Sequence, residues 1–493
     1  MPNTATPDLL LIHPGAAHNI YGELGNDLVA VEPPLWCRLI AGYIQDRGYT
    51  VKIIDAAALR VGPYEIAGLV WLHKPRLVCI AAYGHQPSAS TQSMVGASAT
   101  AEAIKQICES PIIMVGGHVA ALPERTLREE PIDYACNGEG PLTVYELLNE
   151  DLAPQDIRGL VWRDALGVIH SNEPASLIED LDKNLHGQAW DLLPLGAYRS
   201  HNWQAFGNLA ARQPYASIYT SLGCPYKCSF CCINAPFRSN RYRMRSPAAV
   251  VSEIAMLHEK YGVSTFKFID EMFVLRPSHY EAICDGLIER GLGGKINWWA
   301  YARVDTVKQH TLAKLRAAGC RWLALGIESG SKHVRDGAEK ALKNDDIIGV
   351  VRAIEAHDIN VISNWIFGLP DDDVSSMQAT LDLALELNTA FANFYVAMAY
   401  PGSKLYTEAV AKGLTLPTTW RGFSQHNDDC RPLDTEHVDA ATVLRFRDEA
   451  FNTYFTNPKY LEMVERKFGA ETLAHVRKMT TYRLKRKLLE SAV

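Results

Sequence analysis

The sequence predicts an α/β protein in three parts: a doubly wound, Rossmann-like parallel sheet, a partial (β/α)6 barrel of TIM type, and a helical C-terminal region. Three observations carry this. Short, continuous apolar runs alternate with amphipathic stretches up to about Glu150; six further runs alternate with helix-length patterns from Ser217 onward; beyond Leu416 the strand-like runs cease. The parts are read as residues 1–153, a connector over 154–214, a barrel over 215–415 and a tail over 416–493.

In the first part, Leu9–Ile12, Val51–Ile54, Leu77–Ala82 and Ile112–Val115 read as parallel strands, since runs apolar on both faces suit a sheet covered on both sides. Trp36–Arg47 and Ser98–Glu109 read as covering helices. Such a sheet binds ligands beyond the carboxyl ends of its strands. The connector carries two short strand patterns, Gly159–Arg163 and Gly167–His170, read as a small sheet of its own. The barrel strands are expected at Ser217–Leu222, Thr265–Ile269, Ile296–Ala302, Trp322–Ile327, Val361–Phe367 and Phe391–Ala399. Between them lie helices at Pro247–Tyr261, Pro277–Arg290, Thr306–Ala318, Lys332–His357 and Val374–Leu387. Ala440–Tyr454, Lys459–Lys467 and Glu471–Glu490 complete the tail.

The chain has 493 residues, 47% of them hydrophobic and 21% charged, which is ordinary for a globular enzyme of several domains. A net charge of −7, with no basic stripe, argues against a nucleic-acid partner. No apolar run approaches the ~20 residues that span a bilayer. Met1–Asp8 is short and polar, unlike a secretory leader, and the eleven cysteines suit a reducing cytoplasm.

Chemistry concentrates in Ser221–Cys232, which sets Cys224, Cys228 and Cys231 in a CxxxCxxC spacing. A [4Fe–4S] cluster held wholly by protein takes four thiolates, so three leave one iron open. Cys232 adjoins Cys231, and neighbouring side chains on an extended chain point apart. A structural zinc would want a second cysteine pair, which is missing, and a disulfide is disfavoured by compartment. The spacing, with Phe230 before the last cysteine, resembles the signature of the radical S-adenosylmethionine (SAM) superfamily. The resemblance implies a [4Fe–4S] cluster on these three cysteines and SAM on its open iron, with an external electron donor of flavodoxin or ferredoxin type.

Barrel chemistry collects at the C-terminal strand ends. There the resemblance implies SAM contacts from Phe230, from Asp270 and Glu271 (ammonium), from Arg303 (methionine carboxylate), from Glu328 in the GxESG-like Gly326–Gly330, and from Asn364. The alternative reading of Asp270 and Glu271 is a helix N-cap and first-turn acid, and the resemblance favours the SAM contact. Trp365, Tyr400, Gln425 and His426 are candidate substrate contacts, with core packing or capping as the alternative.

The glycine-bearing ends of the first sheet allow close backbone approach by a flat ligand. Pro14-Gly15, Pro33-Pro34, Gly116-Gly117-His118 and Gly138-Glu139-Gly140 resemble the N-terminal domain of cobalamin-dependent radical SAM enzymes. The sequence lacks the DxHxxG motif, so the resemblance implies cobalamin without a histidine from that motif. Pro14, Gly15, Tyr83, His85, Ser88, Gly116, Gly117, His118, Gly138 and Glu139 are the candidate contacts, with Tyr83 and His85 nearest the lower cobalt face. In that family the commonest activity is methylation of an unactivated carbon, occasionally phosphorus, of a small molecule: one SAM methylates cobalamin and another yields the 5′-deoxyadenosyl radical. Oxidative cyclisation of the anaerobic porphyrin-cyclase type and ring rearrangement use the same cofactors. A non-catalytic cobalamin carrier or sensor would need no three-cysteine loop.

Overall fold

A computed structural model describes residues 6–15, 28–84, 87–342 and 346–490, without the side chains of 87 and 88. β1 (Leu9–His13), β2 (Val51–Asp55), β3 (Leu77–Ala81), β4 (Ile112–Val115) and β5 (Tyr134–Cys136) form a parallel sheet in the order β2-β1-β3-β4-β5. Every residue of β3 and β4 is buried, as continuous apolar runs between helical layers require. Leu35–Gln45 covers one face; Pro63–His73 and Pro87–Ile107 cover the other. The last begins well before the expected Ser98.

The connector departs from expectation. β6 (Leu160–Arg163) and β7 (Ile169–Ser171) form no separate sheet; they extend the first one antiparallel to β5, continuing its hydrogen-bond ladder. A short run reads as a strand without revealing which edge it will pair with.

β8 (Tyr215–Ile218) opens the second sheet, and β9 (Ser221–Leu222) turns aside to pair with β10 (Arg243–Met244). β11 (Thr265–Phe268), β12 (Asn297–Arg303), β13 (Cys320–Glu328), β14 (Asn360–Phe367) and β15 (Phe391–Val396) follow, all parallel in consecutive order. Side-chain caps set the helices between them: Ser246 accepts from Ala249 N and Asp373 from Ser376 N. The expected helix Lys332–His357 is two, Lys332–Gly337 and Ile347–Ala356. The tail holds Ala440–Phe455, Pro458–Met479 (broken at Gly469) and Lys487–Glu490.

β8 and β15 are unpaired edges, so the barrel is open on one side. Residues 28–34 cross that opening: Ser217 Oγ donates to Pro33 O at 3.3 Å and Lys267 Nζ pairs with Glu32 at 3.0 Å. From the tail, Arg447 donates to Phe394 O at 2.8 Å. The first sheet is fastened to the barrel by a buried network. Glu253 takes Arg38 at 3.3 Å and Arg245 at 2.5 Å, the Trp190 indole N–H donates to Glu253 at 2.8 Å, and Arg38 stacks on Trp190. Removing Glu253 would strip two buried guanidiniums of their shared carboxylate, at a cost of about 3–5 kcal/mol. The strand ends of the two sheets are thereby held facing one another.

Candidate active site

The loop after β9 begins at Gly223 (φ +87°), where a Cβ would sit 2.2 Å from Arg241 O. The tight entry needs glycine. Asn234 then clamps Cys224, accepting from its N at 3.1 Å and donating to its O at 2.8 Å. Cys231 N donates to Cys228 O at 3.0 Å, closing a turn that presents Cys224, Cys228 and Cys231 to one cavity of about 260 Å³. Burial raises the Cys224 thiol to about 11 and Cys231 to about 12, so a metal centre must displace their protons to bind. Among the described residues no three His, Cys, Asp or Glu side chains converge as single-ion ligands. A four-iron cluster suits thiols that share a cavity without converging, because each binds its own iron. Cys232 is buried and lines a different cavity.

Phe230, Asp270, Glu271, Arg303, Glu328 and Asn364 all line the cysteine cavity. Their engagements differ from the expected roles. Asp270 is occupied: Oδ1 accepts from Thr220 N at 2.6 Å and Oδ2 from the Thr220 and Ser221 hydroxyls at 2.5 and 2.9 Å, tying β9 to the barrel rim. Among the described residues Glu271 Oε2 is buried with no hydrogen-bond partner, and burial lifts this carboxyl to about 8, with backbone N–H groups and the Arg243 charge opposing the rise. Neither caps a helix, since the next one starts at Pro277.

Arg303 pairs with Asp305 at 2.9 Å, donates to Ala341 O, lies over the Tyr226 ring, and points Nη1 at Cys228 Sγ, 3.9 Å away. The second buried cation, Lys340, pairs with Glu328 at 2.8 Å. Glu328 sits at a bulge in β13 with φ +70°, a conformation that costs on the order of 1–3 kcal/mol and gathers at functional sites. Lys340 and Tyr226 carry no assignment from the sequence.

The barrel lumen holds a second cavity, about 490 Å³, that reaches the ends of β1 and β3 at His13, Pro14 and Gly84. Tyr301, Asn364, Tyr395 and Gln425 line both this lumen and the cysteine cavity, so they form the partition. The Asn364 amide is fixed there, donating to Leu325 O and accepting from Asn393. Gln425 accepts from Val396 N at 3.1 Å. His426 lines the lumen, kept uncharged near neutral pH by burial, which lowers it to about 3. Tyr400 lines the cysteine cavity. Trp365 corrects the expectation: on β14 it alternates with the cavity-facing Asn364 and Ile366, and its indole N–H donates into the core to Ser363.

A third, small cavity of about 60 Å³ lies between the two sheets, walled by Trp36, Tyr83, Gly117, His118 and Cys232. It meets the lumen cavity at Gly84 and the cysteine cavity at Ile233, Ile269 and Glu271. As it stands the gap holds about two waters. A Cβ on Gly117 or Gly138 meets nothing within 4 Å, whereas one on Gly116 lies 2.7 Å from Ala82 O and one on Gly15 lies 3.2 Å from Ala56 Cβ. Gly117 thus leaves its face open to a ligand, and Gly116 and Gly15 serve packing. Tyr83 stacks on Trp36 at 4.6 Å and donates to Glu139 O. His118 faces Pro401 O at 3.2 Å, joining the sheets. Glu139 corrects the expectation: it is buried in an ion pair with Arg243 at 2.5 Å and accepts from Ile178 N, away from all three cavities. His85 and the Ser88 side chain lie outside the described residues.

Residues 24–148 match the model of the B12 binding domain and 218–384 that of the radical SAM superfamily. An uncharacterized methyltransferase of Pyrococcus horikoshii is 29% identical, over 87% of this chain and 89% of that protein. The anaerobic magnesium-protoporphyrin IX monomethyl ester cyclase of Rubrivivax gelatinosus is 25% identical, over 92% of this chain and 78% of that protein. The fold is that of the radical SAM methyltransferase TsrM of Kitasatospora setae, solved with cobalamin and a [4Fe–4S] cluster: TM-score 0.64, 19% identity, covering 82% of this chain and 74% of that one. No helix among the described residues is long and apolar enough to cross a membrane.

Proposed function

From the premise that this chain belongs to the cobalamin-dependent radical SAM enzymes, we propose that it transfers a methyl group to an unactivated carbon, or to phosphorus, of a small molecule held in the barrel lumen. One observation carries the reading: the cysteine cavity shares Tyr301, Asn364, Tyr395 and Gln425 with the lumen, and Ile233, Ile269 and Glu271 with the gap below the first sheet. A reaction among three partners needs them within contact of one another, and shared walls provide that.

When bound, the cluster and cobalamin supply the one-electron cleavage of SAM and the methyl group. The protein binds, orients and excludes water. Cys224, Cys228 and Cys231 would hold the cluster. Glu271, whose Oε2 has no hydrogen-bond partner among the described residues, would take the SAM ammonium, ionising as it does so. With Arg303 held by Asp305, Lys340 is the cation placed for the methionine carboxylate, which it would bind while keeping its pairing with Glu328. Gly117 and the rings of Trp36 and Tyr83 would line the corrin face, and the Asn364–Asn393 pair would present a rigid amide edge to the substrate. The tail residues Gln425 and Arg447 line the lumen, with Arg447 bonded to Phe394 O on the edge strand, and limit entry of water. An external electron donor of flavodoxin or ferredoxin type would reduce the cluster. All eleven cysteines are unpaired, which suits a reducing compartment such as the cytoplasm.

The cyclase relative sustains a second reading, oxidative ring formation on the same scaffold. Anaerobic turnover with candidate substrates, followed by product mass, separates the two: methylation adds a methyl group and cyclisation only removes hydrogen.

A further inference from the structure

The lumen floor carries polar groups that the reaction outlined above leaves without a task. Lys267 on β11 and Trp299 on β12 are cross-strand partners in register, both 2% exposed, and both line the lumen cavity. The Lys267 ammonium lies 4.9 Å from the centre of the Trp299 ring. Among the described residues its acceptor is Glu32, whose oxygens lie 3.0 and 3.1 Å from Nζ. An ammonium carries three donors, so one remains unmatched. Among the described residues Trp299 Nε1–H is buried with no hydrogen-bond partner. An unpaired buried donor costs about 1–3 kcal/mol, a cost that a ligand acceptor would relieve.

The charge around the cavity points the same way. Lys267, Arg447 and Arg483 line it against Glu32 and Asp448, three cations to two carboxylates. His201 and His426, lowered by burial to about 4 and about 3, add no charge near neutral pH.

We propose that Lys267 and Trp299 form an acceptor subsite that selects substrates bearing a carboxylate or comparable oxyanion. Resting on the reading of the lumen as the substrate chamber, this names the class of substrate it takes. It also sets a length. Tyr301, in the partition, stands two residues beyond Trp299 on the same face of β12, about 6–7 Å away. The reacting atom then lies roughly five bonds from the oxyanion. Between them run the aromatic walls of Tyr301, Phe394 and Tyr395, suited to a flat or apolar midsection.

The test uses calorimetric titration of the SAM-saturated full chain with hydrocinnamate, its amide and phenylpropylamine, three probes alike in shape and unlike in end group. The carboxylate should bind tightest, at least about tenfold over the amine. Trp299→Phe, which keeps the ring and deletes the donor, should weaken the carboxylate roughly 5- to 10-fold and leave the amine unchanged. The double variant Lys267→Met with Glu32→Gln removes the ion pair together, leaving no lone buried charge, and should abolish the discrimination. Equal affinity for amine and carboxylate, no binding of any probe, or an unchanged carboxylate affinity in Trp299→Phe would overturn the subsite. Because the readout is binding, these results stand apart from methyl transfer: a chain that methylates a product while showing no preference among the probes loses this inference alone.

Discussion

Arg303 aims Nη1 at Cys228 Sγ from 3.9 Å while its other nitrogens are held by Asp305 and Ala341 O. A fixed positive charge beside a thiolate favours the more electron-rich state of whatever metal centre that thiolate holds. Arg303→Gln should therefore keep its iron and show a cluster midpoint potential lowered by roughly 30–60 mV, about 59 mV being a tenfold change for one electron. A redox titration followed by EPR measures it. An unchanged potential would make Arg303 a purely structural partner of Asp305.

The cysteines divide by the cavities they face. Alanine at Cys224, Cys228 or Cys231 should abolish reductive SAM cleavage and most iron binding, whereas Cys232→Ala, in the gap beside Gly117, should keep its iron. Iron analysis and 5′-deoxyadenosine release after anaerobic reconstitution read both. Equal iron loss in Cys232→Ala and Cys231→Ala would contradict the division.

Glu271 ties SAM binding to pH. Its folded carboxyl is raised to about 8 by burial, above its ordinary unfolded value near 4.5. Between these values the folded state keeps a proton the unfolded state has lost, so Glu271 makes the ligand-free protein less stable as pH rises from about 4.5 to 8. Binding the SAM ammonium requires the ionised form, so affinity should improve by up to about tenfold per pH unit from 6 toward 8. Glu271→Gln should flatten both dependences. Parallel pH profiles in Glu271→Gln and the parent chain would remove Glu271 from the SAM site.

Two neighbouring glycines separate ligand approach from packing. Gly117→Leu places a side chain in open space and should fold normally, yet bind cobalamin at least about tenfold more weakly. Gly116→Ala meets Ala82 O at 2.7 Å and should lower stability. Corrin absorbance after gel filtration, with a melting curve for each variant, distinguishes them. Tight cobalamin binding by Gly117→Leu would move the corrin elsewhere.

The cluster loop is legible in the sequence because its chemistry is local: three thiols within eight residues, after a strand, have few other uses. The strand-end acids are legible for a similar reason, since parallel strands deliver successive C-terminal ends to one mouth. Their pairings are not, because they depend on distant chain. Asp270 is satisfied by Thr220 and Ser221, and Glu139 by Arg243, over 100 residues away. Lys340 was hidden by a pattern that reads as one helix from Lys332 to His357, where the structure has two helices. Trp365 shows the parity problem: an apolar run buried on both faces does not reveal whether Asn364 or Trp365 faces inward, and only the folded barrel decides.

The central claim, methyl transfer to a substrate in the lumen, is tested most directly by turnover with SAM deuterated in its methyl group, with product analysed by mass spectrometry. The account predicts a product carrying the label, with S-adenosylhomocysteine and 5′-deoxyadenosine both released. A product without label, formed with release of 5′-deoxyadenosine, would contradict methyl transfer and favour cyclisation or rearrangement on the same scaffold.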